Sequence, residues 1–182
     1  DSYSGEEPNL QPNTARAWLL ERFIQSEGTP LELYAAFQTL EEERRLIQSK
    51  SATWHDWPKQ FLVPGQPVRE YAKRHRKRIR FFQYIQWVAI EQLNDVRQTA
   101  GQLAMPIGLY HDLALGADRS GAEAWIHQSV LALEADCGAP PDPFNQQGQN
   151  WSQPPWRPDP LAEDLSAASR AEERRVTQHG GG

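Results

Sequence analysis

The sequence predicts a predominantly helical α/β chain with one helix–strand–helix repeat, the unit from which parallel barrels are built. Two observations point there. Apolar residues recur at helical spacing between residues 15 and 100. Then Leu103-Ala104-Met105-Pro106-Ile107-Gly108-Leu109-Tyr110 forms a short apolar run that reads as a buried strand, with a helix-like segment after it. His111 and Asp112 follow directly, at the carboxyl end where parallel α/β folds place their ligands.

Each element has its own signal. Residues 1–13 carry few apolar groups and read as a loop. Asn13 or Thr14 is placed to cap a helix over about 15–27, with Trp18, Leu19, Phe23 and Ile24 on its inner face. Gly28-Thr29-Pro30 stops it and opens a second helix over about 30–48, where the missing N–H of Pro30 does no harm. Its inner face would be Leu33, Phe37, Leu40 and either Leu46 or Ile47. The run Glu41-Glu42-Glu43-Arg44-Arg45 reads as a solvated face with i,i+3 and i,i+4 pairs. Ser49 to Pro67 is a loop anchored by Trp54, Trp57 and Phe61.

A long helix over about 67–100 comes next. Lys73 to Arg80 holds six Lys or Arg in eight positions, and Phe81 to Leu93 is apolar almost all round, which marks a helix buried on most sides. Thr99-Ala100-Gly101 ends it. After the strand, a helix over about 120–134 would turn Trp125, Val130 and Leu131 or Leu133 inward, closing at Asp136-Cys137-Gly138.

Composition narrows the function. The net charge of −5 argues against nucleic acid as a partner, so the basic cluster reads as a solvated turn facing acidic neighbours. No eighteen-residue apolar run and no signal peptide point to a membrane or to secretion, and a cytoplasmic location is expected. Cys137 is the single cysteine; it has no disulfide partner, no zinc pattern and no basic neighbour to activate it. With no phosphate-cradling loop and no clustered ligands, neither metal nor cofactor is expected.

The loop from Gly138 to Pro155 carries chemistry that fits sugars. The faces of Phe144, Trp151 and Trp156 can pack on the C–H faces of a pyranose, and Asp142, Gln149 and Asn150 can bond its hydroxyls. Asp112 can accept from two hydroxyls, although an Asp after a strand often serves only to tie the turn. For Trp151 the plainer alternative is packing in a core.

The strings MPIGLYHDLALG, GAEAW, CGAPPD and GQNW..PP occur in that order. Together with YIQWVAIEQL at 84–93 and the Trp54…Trp57-Pro58 pair, they resemble the 4-α-glucanotransferases (amylomaltase or disproportionating enzyme, the bacterial maltodextrin type) over most of residues 14–158. The resemblance implies a (β/α)8 barrel with helical insertions, of which this chain would be an incomplete segment. Its parts would be a loop at 1–13, a helix-rich region at 14–102, then strand, helix and substrate-cleft loop at 103–158, and an atypical, truncated tail at 159–182.

The implied reaction cleaves an α-1,4-glucan, holds one piece as a glycosyl-enzyme ester, and passes it to the 4-hydroxyl of a glucan or glucose acceptor. Retention needs two carboxyl groups about 5–5.5 Å apart. The resemblance puts both beyond Gly182, so no catalytic residue is expected in this chain, and a pair made by Asp112 and Asp142 would have to meet the same geometric test. Asp112, Asp142, Phe144, Gln149 and Trp151 match substrate-contact positions. Two departures stand out: Pro143 replaces a Tyr found in many relatives, and Ser152 replaces the usual Gly after the Trp. The alternative reading is a non-catalytic module, a carbohydrate-binding or protein-interaction remnant.

Overall fold

Glycine 28 sets the shape of the first helix. The computed structural model describes residues 15–47, 52–110 and 116–158. In it α1 runs Ala15–Ile47, broken where Gly28 takes φ 57° and ψ −137°, a left-handed conformation that costs glycine little. Pro30 opens the second arm, as the sequence predicts. That arm buries Leu31, Ala35, Ala36, Phe37, Thr39 and Leu40, and the Thr39 hydroxyl donates to the Ala35 carbonyl at 2.8 Å, so its burial leaves no polar atom unpaired. Neither Leu46 nor Ile47 joins this face; both are exposed. Trp18 and Leu19 on the first arm are also exposed, because no described element covers them, and the Arg22 guanidinium sits over the Trp18 ring at 4.8 Å.

The acidic run on α1 is more than a solvated face. Arg45 does pair with Glu41 at 2.6 Å within the helix. Glu42, however, reaches across to take both Arg78 donors at 2.5 and 2.6 Å, and Glu43 accepts from the Tyr71 hydroxyl. Arg80 pairs with Glu21 in the same way. Acidic neighbours therefore do face part of the basic cluster. Such half-exposed pairs contribute about 0–1 kcal/mol each, so they fix register more than they hold the fold.

The single helix expected over 67–100 is two. Here α2 covers Gln66–Arg74 and α3 covers Arg76–Gln102, with a break where His75 leaves helical geometry at φ −104° and ψ 28°. The His75 ring stacks on Tyr71 with centroids 3.9 Å apart, which holds the corner. Burial along α3 is narrower than its composition suggests. Ile79, Gln83 and Trp87 form one stripe at i, i+4 and i+8, while Phe81, Tyr84, Ile85 and Val96 face outward. The helix ends at Ala104 (φ 51°), where the Ala104 and Met105 amides donate to Gly101 and Ala100 in a Schellman pattern, two residues before Pro106.

Residues 103–110 are not a buried strand. Leu103, Met105, Ile107 and Tyr110 are exposed, Ile107 at 82% and Tyr110 at 89%. The reason is that no described strand lies beside them to accept a ladder, and an unpaired strand gains nothing from being extended. Among the described residues the only named strands are β1 at Gly138–Ala139 and β2 at Gln149–Asn150, a two-stranded antiparallel pair. The chain is accordingly mostly helical.

The helix expected over 120–134 is shortened to α4, Ala122–Ile126. Beyond it the backbone is drawn into cross-chain pairing: Leu131 bridges Trp156, Ala132 N–H donates to Pro155 O at 2.8 Å and Arg157 N–H to Val130 O at 2.8 Å. Trp125, Val130 and Leu131 are nevertheless buried, as their spacing predicts. Among the described residues no helix is long and apolar enough to cross a membrane.

The core gathers around Trp125, which is 0% exposed. Phe37 lies 5.6 Å from its ring and Trp57 5.9 Å, and Trp54, Phe61, Val68, Tyr71, Ala72 and Ile79 belong to the same cluster, together with Ala35, Ala36 and Leu40 of α1. The three aromatic anchors of the 52–65 loop are all buried. Two turns of 3-10 helix, Trp54–Asp56 and Lys59–Phe61, aim them inward. Trp125→Ala should cost about 3–5 kcal/mol, as loss of a buried indole does. The Trp125 indole N–H donates to the Phe61 carbonyl at 2.8 Å, and Trp125→Phe should cost about 1–3 kcal/mol, chiefly by leaving that carbonyl without its donor. Urea unfolding followed by circular dichroism measures both; equal midpoints for Trp125→Phe and the parent would show that the indole bond is immaterial.

Candidate functional site

The Pro-rich loop is an ordered ribbon rather than an open connection. Cys137 N–H donates to Gln153 O at 2.8 Å, Trp151 N–H to Cys137 O at 3.0 Å, and Gly138 and Ala139 pair with Asn150 and Gln149. With the bridge at Leu131–Trp156, residues 130–139 run antiparallel to 149–157. Gly138 is required here. A Cβ at that position would press into the Gln149 carbonyl oxygen, so no larger residue fits while the strands stay paired.

Four of the five predicted contact residues lie on this ribbon, and Asp112 falls outside the described residues. Trp151 keeps 52% of its surface exposed, so it is not packed into the core of the described residues. Its indole N–H donates to Gln149 Oε1 at 2.9 Å, so amide and indole are held together on β2 and its edge. Phe144, at the tip, is 100% exposed. The Asp142 carboxylate is turned inward on its own loop: Oδ1 accepts from the Phe144 and Asn145 amides at 2.7 and 2.6 Å. That Asx turn positions Phe144 and leaves the carboxylate committed to backbone. Ser152 takes φ 56°, the left-handed conformation that the usual Gly would adopt without strain, and the Asn150 side chain accepts its amide at 2.7 Å.

Arg119, which the sequence gave no reason to single out, ties this ribbon to the core. Arg119 Nη2 donates to the Ala135 carbonyl at 2.6 Å and pairs with Asp136, whose other oxygen accepts from Asn150 Nδ2 at 3.0 Å. The Asn150 bond, followed by that of Arg119, holds the Asp136 carboxyl below its usual value of 3.8. The Arg119 carbonyl in turn accepts from the buried Trp54 indole at 3.1 Å. No local pattern announces this network, because its members stand 14 to 65 residues apart. Elsewhere, an open polar cleft of about 340 Å³ lies between α1 and residues 118–122, lined by Gln38, Glu41, Arg45 and Asp118 among others. None of the four described contact residues lines it, so it is set aside as their site.

Comparison with known proteins settles the family. A family model described as 4-alpha-glucanotransferase matches residues 4–172. The chain belongs to that family. The 4-alpha-glucanotransferase of Mycobacterium tuberculosis (strain H37Rv) is 39% identical over 90% of this chain and 24% of its own length. That of Haemophilus influenzae is 33% identical over 79% of the chain and 21% of its own. Among solved structures, amylomaltase from Corynebacterium glutamicum superposes with a TM-score of 0.69 at 35% identity, covering 91% of this chain and 21% of that one. Amylomaltase from Streptococcus agalactiae in complex with acarbose gives 0.73 at 17% identity, over 91% of this chain and 34% of that one, and bears on the fold alone. The chain therefore spans about a quarter of the length of the first curated relatives it matches.

The glucanotransferase ribbon should loosen in acid. Because the folded state holds Asp136 below its ordinary value, the charged form contributes stability above about pH 3.8, and that contribution is lost as pH falls through the folded value. The Trp151 indole N–H resonance is expected to shift towards that of a free indole as pH falls below about 3.8, before that of Trp125 changes. A Trp151 transition that coincides with global unfolding would contradict this order.

Proposed function

We propose that this chain is a substrate-cleft segment of a 4-α-glucanotransferase, contributing part of a (β/α)8 barrel with its helical insertion. The observation that carries the reading is the Gln149–Trp151 pair: an amide locked to an indole by a 2.9 Å bond, with half of the indole surface left open on a paired strand. A half-exposed, rotationally fixed aromatic offers a flat apolar face that loses little entropy on binding, and the amide beside it supplies direction. Phe144 offers a second aromatic face at the ribbon tip, and Asp112 would add a carboxylate from the segment after Tyr110.

On this reading the complete enzyme acts by retention on α-1,4-glucans in the cytoplasm. A carboxylate nucleophile and a general acid/base, both contributed by sequence beyond Gly182, would break the glycosidic bond and hold the glycosyl ester. The residues of this chain bind and orient. By covering the cleft, the ribbon would favour a sugar 4-hydroxyl over water as acceptor, whether it belongs to glucose or to a maltodextrin. No metal or cofactor enters the scheme.

Two measurements test it. Acarbose should perturb the tryptophan fluorescence of the 182-residue chain, and Trp151→Ala should weaken that binding about 10-fold or more, the scale of a stacked aromatic anchor. Maltotriose should be disproportionated to glucose and longer maltodextrins only when the protein extends past Gly182. Turnover by the 182-residue chain would instead implicate its own carboxylates, Asp112 and Asp142 first. An extended protein that binds acarbose without turnover would favour the non-catalytic carbohydrate-binding alternative.

A further inference from the structure

Arg119 is held at both ends. Its carbonyl accepts the Trp54 indole N–H at 3.1 Å from within the core, and the turn that carries it is fixed by Asp118, which accepts from the Ser120 and Gly121 amides at 2.9 Å each. Its guanidinium reaches the other way, to the Ala135 carbonyl and the Asp136 carboxylate at the root of the ribbon. Asp136 then takes the Asn150 side-chain amide at 3.0 Å, and Asn150 lies between Gln149 and Trp151. Trp54, Arg119, Asp136 and Asn150, on four chain segments, thus form one path from the buried aromatic cluster to the exposed indole. An ordinary surface ion pair joins two side chains that are free to move together. This one joins a fixed turn to two strands.

We infer that Arg119 and Asp136 are positioning residues for glucan, acting through Asn150 to set the strand that carries Gln149 and Trp151. The inference rests on the glucan reading of the ribbon and adds to it the residues that determine how the indole face is presented. Arginine suits the role because its planar fork can satisfy a carbonyl and a carboxylate at once, which an ammonium on a flexible stem does less well. A cleft residue displaced by about 1 Å loses much of its effect, so remote support of this kind is expected to register in affinity.

The test uses the 182-residue chain and its Arg119→Gln, Arg119→Lys and Asp136→Ala variants. Amide hydrogen exchange at Cys137 and Trp151 should accelerate about 10-fold in Arg119→Gln and Asp136→Ala while the Trp125 amide is unchanged, since local opening of the ribbon does not require the core to open. Acarbose affinity by calorimetry should fall about 10-fold in the same two variants, Arg119→Lys should recover part of it, and Arg119→Gln should add nothing in a Trp151→Ala background. That last result separates positioning through the strand from a general loss of structure. Unchanged exchange at Cys137 and Trp151 overturns the inference, and so does faster exchange with unaltered acarbose affinity. If the parent chain binds no acarbose while exchange accelerates as expected, the glucan reading fails and the positioning of the ribbon by Arg119 stands.

Discussion

Two indoles exchange hydrogen bonds between the same pair of chain segments, and the architecture hangs on that exchange. Trp54, in the 52–65 loop, donates to the carbonyl of Arg119, and Trp125, just beyond Arg119, donates back to the carbonyl of Phe61 in the same loop. Each ring also lies in the aromatic cluster against α1 and α2. A buried indole N–H without an acceptor is costly, and so is a buried carbonyl without a donor, so the two segments have one mutual register in which both are satisfied. Gln128 reinforces it by donating to Leu62 O at 2.7 Å and to Trp125 O at 2.9 Å. Hydrophobic burial drives the cluster together; the reciprocal bonds decide how it sits.

That register has a consequence for the ribbon. Because Arg119 and Trp125 are fixed against the loop, the chain leaving α4 has a defined starting point, and Val130 to Ala132 can pair with 155–157. α4 ends after five residues, where the Val130 and Leu131 amides both turn back to the His127 carbonyl and the backbone from Val130 onward is taken up across the ribbon. Local helix propensity is a weak preference, and here tertiary pairing overrides it.

The features legible in the sequence are those whose cause is local. Gly28 followed by Pro30 marks the kink in α1, and Trp54, Trp57 and Phe61 stand out as anchors in an otherwise polar loop. Ser152 in place of glycine flagged a turn that does take positive φ. The motifs shared with glucanotransferases single out Gln149 and Trp151, and their closeness in sequence is matched by the 2.9 Å bond between the two side chains. What could not be read has partners far away. The break at His75 depends on Tyr71 packing beneath its ring, and the outward turn of Phe81 and Tyr84 depends on which neighbours are present. The exposed run at 103–110 makes the same point, since its apolar composition states a preference for burial and cannot supply the strand that would cover it.

The ribbon also divides its chemistry in a way that bears on the glucan proposal. Asp142 is the carboxylate nearest the tip, and it is committed to the Phe144 and Asn145 amides, where two short bonds satisfy one oxygen. Through Oδ1 it places Phe144 at the tip. Asp136 is likewise committed, to Asn150 and Arg119. Asp142 and Asp136 are thus bound internally, while Glu134 is exposed on the same ribbon; beside it the ribbon presents aromatic surface and amide. Such a surface loses little desolvation energy on contact, unlike a free carboxylate, which must shed tightly held water before it meets a sugar. On the glucan reading proposed above, recognition by this segment would rest on the fit of C–H faces to the Trp151 indole and the Phe144 ring, with directional hydrogen bonding at Gln149, so that the ordering of the ribbon would bear directly on binding.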